Sequence, residues 1–303
     1  MTIKHLVLSG GGPTGIFTYG AASQLAKKDF WRLADIKSIY GCSIGAYMAV
    51  VFSLDYAWDW LDDYFIKRPW DKLLAVSTIH LTDIYIKKSL INETFIQEAL
   101  FPLLRGKELS ESITLKELYD YNKIDIHIYT TNINSDRLTK VDLSHTSHPN
   151  LTVIKALQMS MAVPIVFEPI CEAEDCFVDG GLLNNFPLND CLLQQQCQSD
   201  ELLAFKNIWK NKDKQSQQIK TTSTIFDFLL VLMRKIQASV DTELDQDEKE
   251  VKYIIGCPVD DLVGLDKWAE ALATKDIRKS IVERSIVQAD LFLEGLFNLP
   301  KAV

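Results

Sequence analysis

Apolar and polar residues follow one another along the chain in the order typical of an α/β protein. Short apolar runs of strand length are separated by longer segments with helical periodicity. The predicted strands include Ile3–Ser9, Ile36–Tyr40, Ile124–Asn132, Glu201–Phe205 and Val251–Gly256. The predicted helices include Ile16–Lys28, Ala46–Leu54, Thr152–Ala162, Leu188–Gln196, Ile225–Val240 and Asp276–Phe297. Because strand–helix–strand units make right-handed crossovers, the pattern predicts a mainly parallel sheet.

The second predicted strand runs directly into a G-x-S-x-G pattern, Gly41-Cys42-Ser43-Ile44-Gly45, which we call the serine turn. This pattern places a serine on a sharp strand-to-helix turn with its hydroxyl exposed above the sheet edge. The two outer glycines, Gly41 and Gly45, leave room for the neighbouring strand and helix. The N-terminus of the following helix also favours negative charge near Ser43. Because a strand precedes the turn and a helix follows it, we favour a nucleophile over a structural turn.

A second glycine-rich segment, the glycine loop Gly10–Gly15, follows the first strand and lies at the same predicted sheet edge. It matches a dinucleotide fingerprint, which also needs an acid at the far end of the next strand, but the nearest acid, Asp35, precedes that strand. A phosphate-binding P-loop needs lysine where Ile16 stands. The serine turn nearby favours a third interpretation, an oxyanion hole built from main-chain N–H groups. Consecutive glycines let several main-chain N–H groups turn toward one point, as a tetrahedral intermediate needs.

A serine nucleophile needs a base, and the residues leave two candidates open. The last histidine of the chain is His148, so a triad of Ser43, Asp125 and His148 is one arrangement, although it gives the second half of the chain no role. The other candidate is Asp179, which ends a predicted strand and precedes Gly180 and Gly181. A carboxylate accepts the serine proton directly if burial keeps its pKa useful. The alternative role for Asp179 is to cap a turn.

Composition and charge narrow the function classes. The chain has 303 residues, of which 47% are apolar, and its formal net charge of −9 argues against a general nucleic-acid binder. The six cysteines lack C-x-x-C spacing, which indicates a reducing compartment and no zinc site. The first residues have no leader pattern and no apolar run reaches eighteen residues, so we expect a cytoplasmic protein that is not secreted through a classical signal peptide.

Three further segments carry weaker signals. The aromatic-rich residues 55–75, with Trp58, Trp60, Phe65 and Trp70, fit a surface helix that dips into lipid, but packing of the aromatic side chains on the core is the favoured interpretation. The polar connector near 206–222 is a candidate for a mobile insertion within one domain. His145 and His148 stand in a polar stretch and are expected to be solvated.

Taken together, the motifs resemble those of the patatin-like phospholipases, which are lipid acyl hydrolases with a Ser-Asp dyad. The resemblance covers roughly residues 3–190 and consists of four motifs in the same order. They are the glycine loop, the serine turn, the segment Ser160–Pro169, and Asp179-Gly180-Gly181 followed by Asn185 and Pro187. In one departure, Thr14 stands where the family usually carries arginine or lysine.

The resemblance implies a fold, a mechanism and a substrate class. It implies a three-layer α/β sandwich with a mainly parallel central sheet and helices on both faces, a catalytic core at 1–205, and a continuation of the same domain at 206–303. It implies a serine esterase of phospholipase A type, in which Asp179 activates Ser43 and an acyl-enzyme forms, with no metal or cofactor. The resemblance assigns the oxyanion hole to the N–H groups of Gly10, Gly11 and Gly12. The supporting motif residues are Gly15, Gly41, Gly45, Gly180 and Gly181. The implied partner is a phospholipid or other acyl-ester lipid, with peripheral membrane contact.

Two alternatives remain. The absence of a basic residue at Thr14 favours a lipid-binding scaffold with weak or no catalysis. The glycine loop alone favours a dinucleotide-dependent oxidoreductase.

Overall fold

The computed structural model describes residues 2–73, 86, 88–91, 94–208, 218–241, 251–259, 262 and 265–297. The strands are β1 (His5–Leu8), β2 (Ser38–Cys42), β3 (Ser89–Ile91), β4 (Asp125–Asn132), β5 (Thr139–Leu143), β6 (Ile165–Phe167), β7 (Ile170–Glu172), β8 (Asp175–Asp179), β9 (Leu202–Ile208) and β10 (Tyr253–Pro258). The helices are α1 (Thr14–Lys27), α2 (Ile44–Ser53), α3 (Trp58–Asp62), α4 (Trp70–Leu73), α5 (Thr94–Gly106), α6 (Leu115–Asn122), α7 (Val153–Ser160), α8 (Leu188–Gln195), α9 (Ile225–Asp241), α10 (Leu265–Ala273) and α11 (Lys275–Phe297).

The main sheet is parallel through its centre and antiparallel at one side. Its strand order is β10-β9-β1-β2-β4-β8-β7, and β5 also pairs with β4. The strands β10, β9, β1, β2 and β4 are parallel, whereas β5 and β8 run antiparallel to β4 and β7 runs antiparallel to β8. The predicted mainly parallel sheet is therefore confirmed.

Two strands share one edge of β4. The strand β2 pairs with Asp125–Tyr129, and β8 pairs with Thr130–Asn132. The strand β5 pairs with residues 128–132 and so occupies the opposite edge along both stretches. Hence β2 and β8 follow one another along β4 with opposite directions, and their C-terminal ends meet.

Helices cover both faces of the sheet, as expected for a three-layer sandwich. On one face, buried residues of β4 such as Ile126 and Ile128 join a large core with residues of α1, α2 and α11. On the other face, Tyr40 and Tyr129 belong to a smaller core that includes Leu188 of α8. The alternation of side chains along each strand divides the sheet residues between these two cores.

The aromatic-rich segment packs inward. Phe65 and Trp70 are buried, at 3% and 6% exposure. Trp60 is 44% exposed, and its ring stacks on those of Tyr56 and Tyr64. The core interpretation of this segment is therefore correct for Phe65 and Trp70, and the alternative of lipid contact is wrong for these two side chains. Within the described part of the chain, no helix is both long and apolar enough to cross a bilayer.

Two predictions about individual side chains are also wrong. Cys171 and Cys176 lie opposite each other in the β7–β8 hairpin and form a disulfide, so the expectation of reduced cysteines fails for this pair. His145 is not a solvated loop residue, because its Nδ1 lies 2.9 Å from Asp125 Oδ1 and its ring stacks on Tyr119. Cross-strand and ring contacts of this kind leave no local pattern in the sequence.

The start of the predicted connector belongs to the sheet. The strand β9 continues to Ile208, and its last residues pair with β10. Residues 209–217 of the connector lie outside the described residues, and the predicted mobile insertion stays a prediction there. Because β9 pairs with both β1 and β10, the chain beyond residue 205 continues the same sheet.

A buried histidine holds two carboxylates together at the N-terminal end of β4. His127 Nδ1 lies 2.8 Å from Asp142 Oδ2, and its Nε2 lies 3.1 Å from Asp125 Oδ2. Its ring stacks on Tyr40 at a centroid distance of 4.2 Å. Burial lowers the pKa of His127, but the hydrogen bonds and charges of Asp125 and Asp142 outweigh burial and raise the pKa to about 9.

We expect the stability of the protein to fall at alkaline pH because of this histidine. Its pKa is higher in the folded state, at about 9, than its ordinary 6.5. The stabilisation is thus complete below pH 6.5 and is lost as pH rises through 9. The difference in free energy of unfolding between the wild type and His127→Gln should shrink by about 3 kcal/mol across this range. Urea unfolding of both proteins at several pH values measures this difference in free energy of unfolding. A difference that does not change with pH would contradict the ion pairing of His127.

Candidate active site

The serine turn holds Ser43 in a conformation that few residues adopt. Ser43 has φ 53° and ψ −124°, follows β2 directly and precedes α2. A non-glycine residue with positive φ is strained, and such strain concentrates at functional sites. A Cβ on Gly45 would clash with the carbonyl oxygen of Leu8, so the close approach of β1 requires glycine there. The sequence pattern and the backbone geometry agree at this turn.

Ser160 fastens the serine turn to the sheet. The Ser43 N–H donates to Ser160 Oγ at 2.9 Å, and this hydroxyl donates to the Tyr129 carbonyl at 2.6 Å. Ser160 is fully buried at the end of α7. Ser160 begins the segment Ser160–Pro169 that resembles the family, but no sequence pattern indicates this role for its hydroxyl. The N–H of Ser43 therefore already has an acceptor within the protein.

Asp179 reaches the same point from β8. In the sheet, Cys42 lies opposite Tyr129 and Asp179 lies opposite Thr130, so the residue before Ser43 and Asp179 flank successive residues of β4. The Asp179 carboxyl is buried, and its Oδ1 accepts a hydrogen bond from the Gly181 N–H at 2.7 Å. Its Oδ2 is buried without a partner among the described residues.

The environment of Asp179 suits a base. Burial raises the pKa of Asp179 to about 6, and the neighbouring Ser43 side chain and the hydrogen bond from the Gly181 N–H partly oppose this rise. The pairing of β2 and β8 along β4 brings Ser43 and Asp179 to adjoining strand ends. Near neutral pH the carboxylate is ionised but more basic than an exposed aspartate.

The glycine loop lies against Ser43 but offers fewer donors than predicted. A Cβ on Gly10 would come within 3.0 Å of Ser43 Cβ. The N–H of Gly10 donates to the Asn185 carbonyl at 3.0 Å, so Gly10 is not a free donor. The N–H groups of Gly11 and Gly12 have no acceptor among the described residues, and these glycines have φ values of 153° and 60°. Gly11 and Gly12 therefore remain as candidate oxyanion donors.

The supporting glycines surround this centre. Gly15 packs against Ile44 at the start of α2, and Gly41 packs against Gly45 and Ala46. Gly180 lies against the carbonyl of Tyr129, and Gly181 lies between the side chains of Asp179 and Asn185. A Cβ at any of these four positions would collide with neighbouring atoms. The absence of a side chain therefore lets the glycine loop, the serine turn and the end of β8 pack closely against one another.

An apolar cavity opens beside Ser43 and Gly12. It has a volume of about 870 Å³, including the part open to solvent. Its walls come mostly from aliphatic and aromatic side chains, among them Ile16, Met48, Phe65, Trp70, Phe95, Phe167 and Trp268. The charged lining residue Arg278 donates to the main-chain carbonyls of Ile66, Arg68, Ala271 and Leu272. The cavity therefore suits a long apolar group.

The alternative triad is not assembled. Asp125 lies opposite Ser38 at the beginning of β2, about 16 Å along the strand from Ser43. Its carboxyl contacts His127 and His145 instead. The Nδ1 of His148 lies 2.9 Å from Ser147 Oγ. The described residues also contain no group of three or more histidine, cysteine or carboxylate side chains arranged to hold a metal ion.

Comparison with known proteins places this geometry in a family. The model of the family described as patatin-like phospholipase matches residues 6–192. The chain is 28% identical over 227 residues to the probable lipid hydrolase 463L of Invertebrate iridescent virus 6, covering 74% of this chain and 70% of that protein. It is also 23% identical over 308 residues to the uncharacterized protein YqhO of Bacillus subtilis, covering 95% of this chain and 97% of that protein.

A solved structure has a similar fold. The crystal structure of VipD from Legionella pneumophila aligns with a TM-score of 0.50 and 17% sequence identity, covering 94% of this chain and 67% of that chain. This similarity concerns the fold alone. The family model spans more than half of the chain and includes the glycine loop, the serine turn and Asp179. The chain belongs to the patatin-like phospholipase family.

Proposed function

We propose that the protein is a lipid acyl hydrolase that cleaves carboxylic esters with a dyad of Ser43 and Asp179. The observation that carries the proposal is the meeting of β2 and β8 end to end along β4. It brings a strained serine and a buried carboxylate together beside free main-chain N–H groups and an apolar cavity. Family membership and the name of the viral relative support the same reaction class.

In the proposed mechanism Asp179 accepts the proton of the Ser43 hydroxyl as this oxygen attacks the ester carbonyl. The N–H groups of Gly11 and Gly12 and the N-terminus of α2 stabilise the negative charge that develops on the carbonyl oxygen. Asp179 then protonates the leaving alcohol, and an acyl-enzyme remains on Ser43. Asp179 next takes a proton from water as this water attacks the acyl group. The bond between the acyl carbon and Ser43 Oγ breaks, Asp179 returns the proton to Ser43 Oγ, and a fatty acid is released.

The cavity defines the substrate class in this proposal. The apolar walls of the cavity suit an acyl chain of a phospholipid or other acyl-ester lipid. Thr14 is buried, and its hydroxyl has no partner among the described residues. Because the proposed oxyanion donors are main-chain groups, a threonine at this position does not remove them. We therefore favour an active hydrolase over a lipid-binding scaffold.

Membrane contact is expected from α9 rather than from the aromatic-rich segment. Ile225, Phe228 and Leu232 are 62%, 46% and 43% exposed, and their spacing places them on one side of the helix. The helix lies against the turn Gly180–Leu182, which directly follows Asp179. An acyl hydrolase draws its substrate from a lipid aggregate, and this apolar face lies on an element that touches the candidate site.

Replacement of the dyad should remove activity without unfolding the protein. Ser43→Ala should abolish hydrolysis of a p-nitrophenyl acyl ester, and Asp179→Asn should lower kcat by about two to four orders of magnitude, since a positioned base contributes this much. His148→Ala is the control and should keep wild-type rates. Near-normal turnover by the Asp179→Asn protein, with the control impaired, would refute the assignment of the base.

The pH dependence of catalysis should report the pKa of Asp179. As pH falls through about 6, the carboxylate gains a proton and no longer accepts one from Ser43. We therefore expect kcat/KM to decline below pH 6 and to level off above it. Steady-state rates between pH 4.5 and 8 measure this profile. A flat profile would exclude a base with the pKa of Asp179.

The double variant Phe228→Ser/Leu232→Ser should bind lipid vesicles several-fold more weakly than the wild type, because it removes apolar area from the exposed face of α9. It should keep the wild-type rate on a monomeric ester. Trp60→Ser, which changes an exposed side chain in the aromatic-rich segment, is the matched control and should bind normally. Co-sedimentation with phosphatidylcholine vesicles measures the binding of each protein. Equal binding of the wild type and the double variant would exclude membrane contact through α9.

A further inference from the structure

Two amide side chains from different parts of the chain converge on one carbonyl group of the glycine loop. The Asn185 Nδ2 group donates to the Gly10 carbonyl at 3.2 Å, and the Asn207 Nδ2 group donates to the same oxygen. Asn185 lies in the segment after β8, whereas Asn207 lies in β9. The mechanism above gives neither side chain a role.

These bonds fix the orientation of the peptide group between Gly10 and Gly11. All described peptide bonds are trans, and in a trans peptide the C=O and N–H groups point in opposite directions. Because the Gly10 carbonyl points toward the two asparagines, the Gly11 N–H points away from them. That N–H has no acceptor among the described residues and is one of the two proposed oxyanion donors.

Further contacts hold Gly10 and Asn207 in place. The N–H of Gly10 donates to the Asn185 carbonyl, so Asn185 binds both polar groups of Gly10. The N–H of Asn207 donates to Ser9 Oγ at 3.1 Å, which anchors β9 to the residue before the loop. Through these bonds the orientation of the loop depends on β9 and on the segment after Asp179.

The loop needs such anchoring because glycine does not restrict its own backbone. Gly11 has φ 153°, a value that glycine adopts freely but does not enforce. If the peptide between Gly10 and Gly11 rotated, the carbonyl oxygen would replace the N–H donor and would repel a developing oxyanion. Amide donors on the carbonyl oppose this rotation.

We propose that Asn207 and Asn185 are positioning residues that hold the Gly11 N–H ready for the oxyanion. The inference rests on the proposed esterase function and adds the means by which the glycine loop is oriented. The two side chains act through the loop and do not touch the substrate.

The main test uses Asn207→Asp, which keeps the size of the side chain but replaces the amide donor with an acceptor facing the Gly10 carbonyl. We expect kcat for a p-nitrophenyl acyl ester to fall about 10- to 100-fold, somewhat less than the loss caused by removing an oxyanion donor outright. KM should stay within about threefold, because the apolar cavity is unchanged. Asn185→Ala should reduce kcat in the same direction.

An alkyl trifluoromethyl ketone separates positioning from a general structural effect. This inhibitor forms a tetrahedral adduct with an oxyanion, so its Ki should rise by the same factor as kcat/KM falls. Asn184→Ala is the matched control, because Asn184 is the neighbouring residue and donates to Asp190 rather than to the loop. The control should keep the wild-type kcat and Ki. A wild-type kcat in Asn207→Asp, or an unchanged Ki despite a lower kcat, would overturn the proposal.

A readout that needs no turnover distinguishes this inference from the esterase proposal. In protein labelled with ¹⁵N-glycine, the Gly11 amide resonance should shift in Asn207→Asp and stay in place in Asn184→Ala. If the wild type hydrolyses no ester while Gly11 shifts as expected, the proposed function fails and the peptide orientation stands. If the Gly11 amide resonance does not shift in Asn207→Asp, the positioning role of Asn207 is refuted whether or not the protein is an esterase.

Discussion

The end-to-end placement of β2 and β8 along β4 is the constraint on which the candidate site depends. Two strands that approach from opposite directions bring their C-terminal residues to successive positions of a third strand. Ser43 follows one end, and Asp179 is the other. Ser160 adds a direct bond, because its hydroxyl accepts from Ser43 and donates to Tyr129, the β4 residue opposite Cys42. Sheet pairing thus joins residues that are far apart in the sequence.

Burial then gives these residues their chemistry. An exposed aspartate is too weak a base to take a proton from serine efficiently, but burial raises the pKa of Asp179 to about 6. The carboxylate stays ionised at neutral pH and keeps one oxygen free of any partner among the described residues. In contrast, His127 and Asp125 lie at the far end of the strands and form an ion-pair cluster with Asp142. The same residue types therefore serve stability at one end of β4 and, in our proposal, catalysis at the other.

Much of this architecture was predictable because it leaves local patterns. The apolar periodicity predicted most of the longer helices and the parallel strands, and the glycines around Ser43 and Asp179 marked the serine turn and the end of β8. The three-residue strands β3, β6 and β7 were not predicted, since their pairing depends on distant partners. Asn207 looked like the start of a connector, and its contact with Gly10 depends on the parallel pairing of β9 with β1. The aromatic-rich segment was ambiguous because an apolar helix face suits a core and a membrane equally well.

The central claim is that Ser43 is a nucleophile activated within this fold. Reaction with a fluorophosphonate probe, read out by intact mass, tests it most directly, because the probe requires an activated serine and no knowledge of the natural substrate. The account predicts one covalent adduct on the wild type and none on Ser43→Ala. Absence of an adduct on the folded wild type, or equal labelling of the Ser43→Ala protein, would contradict it.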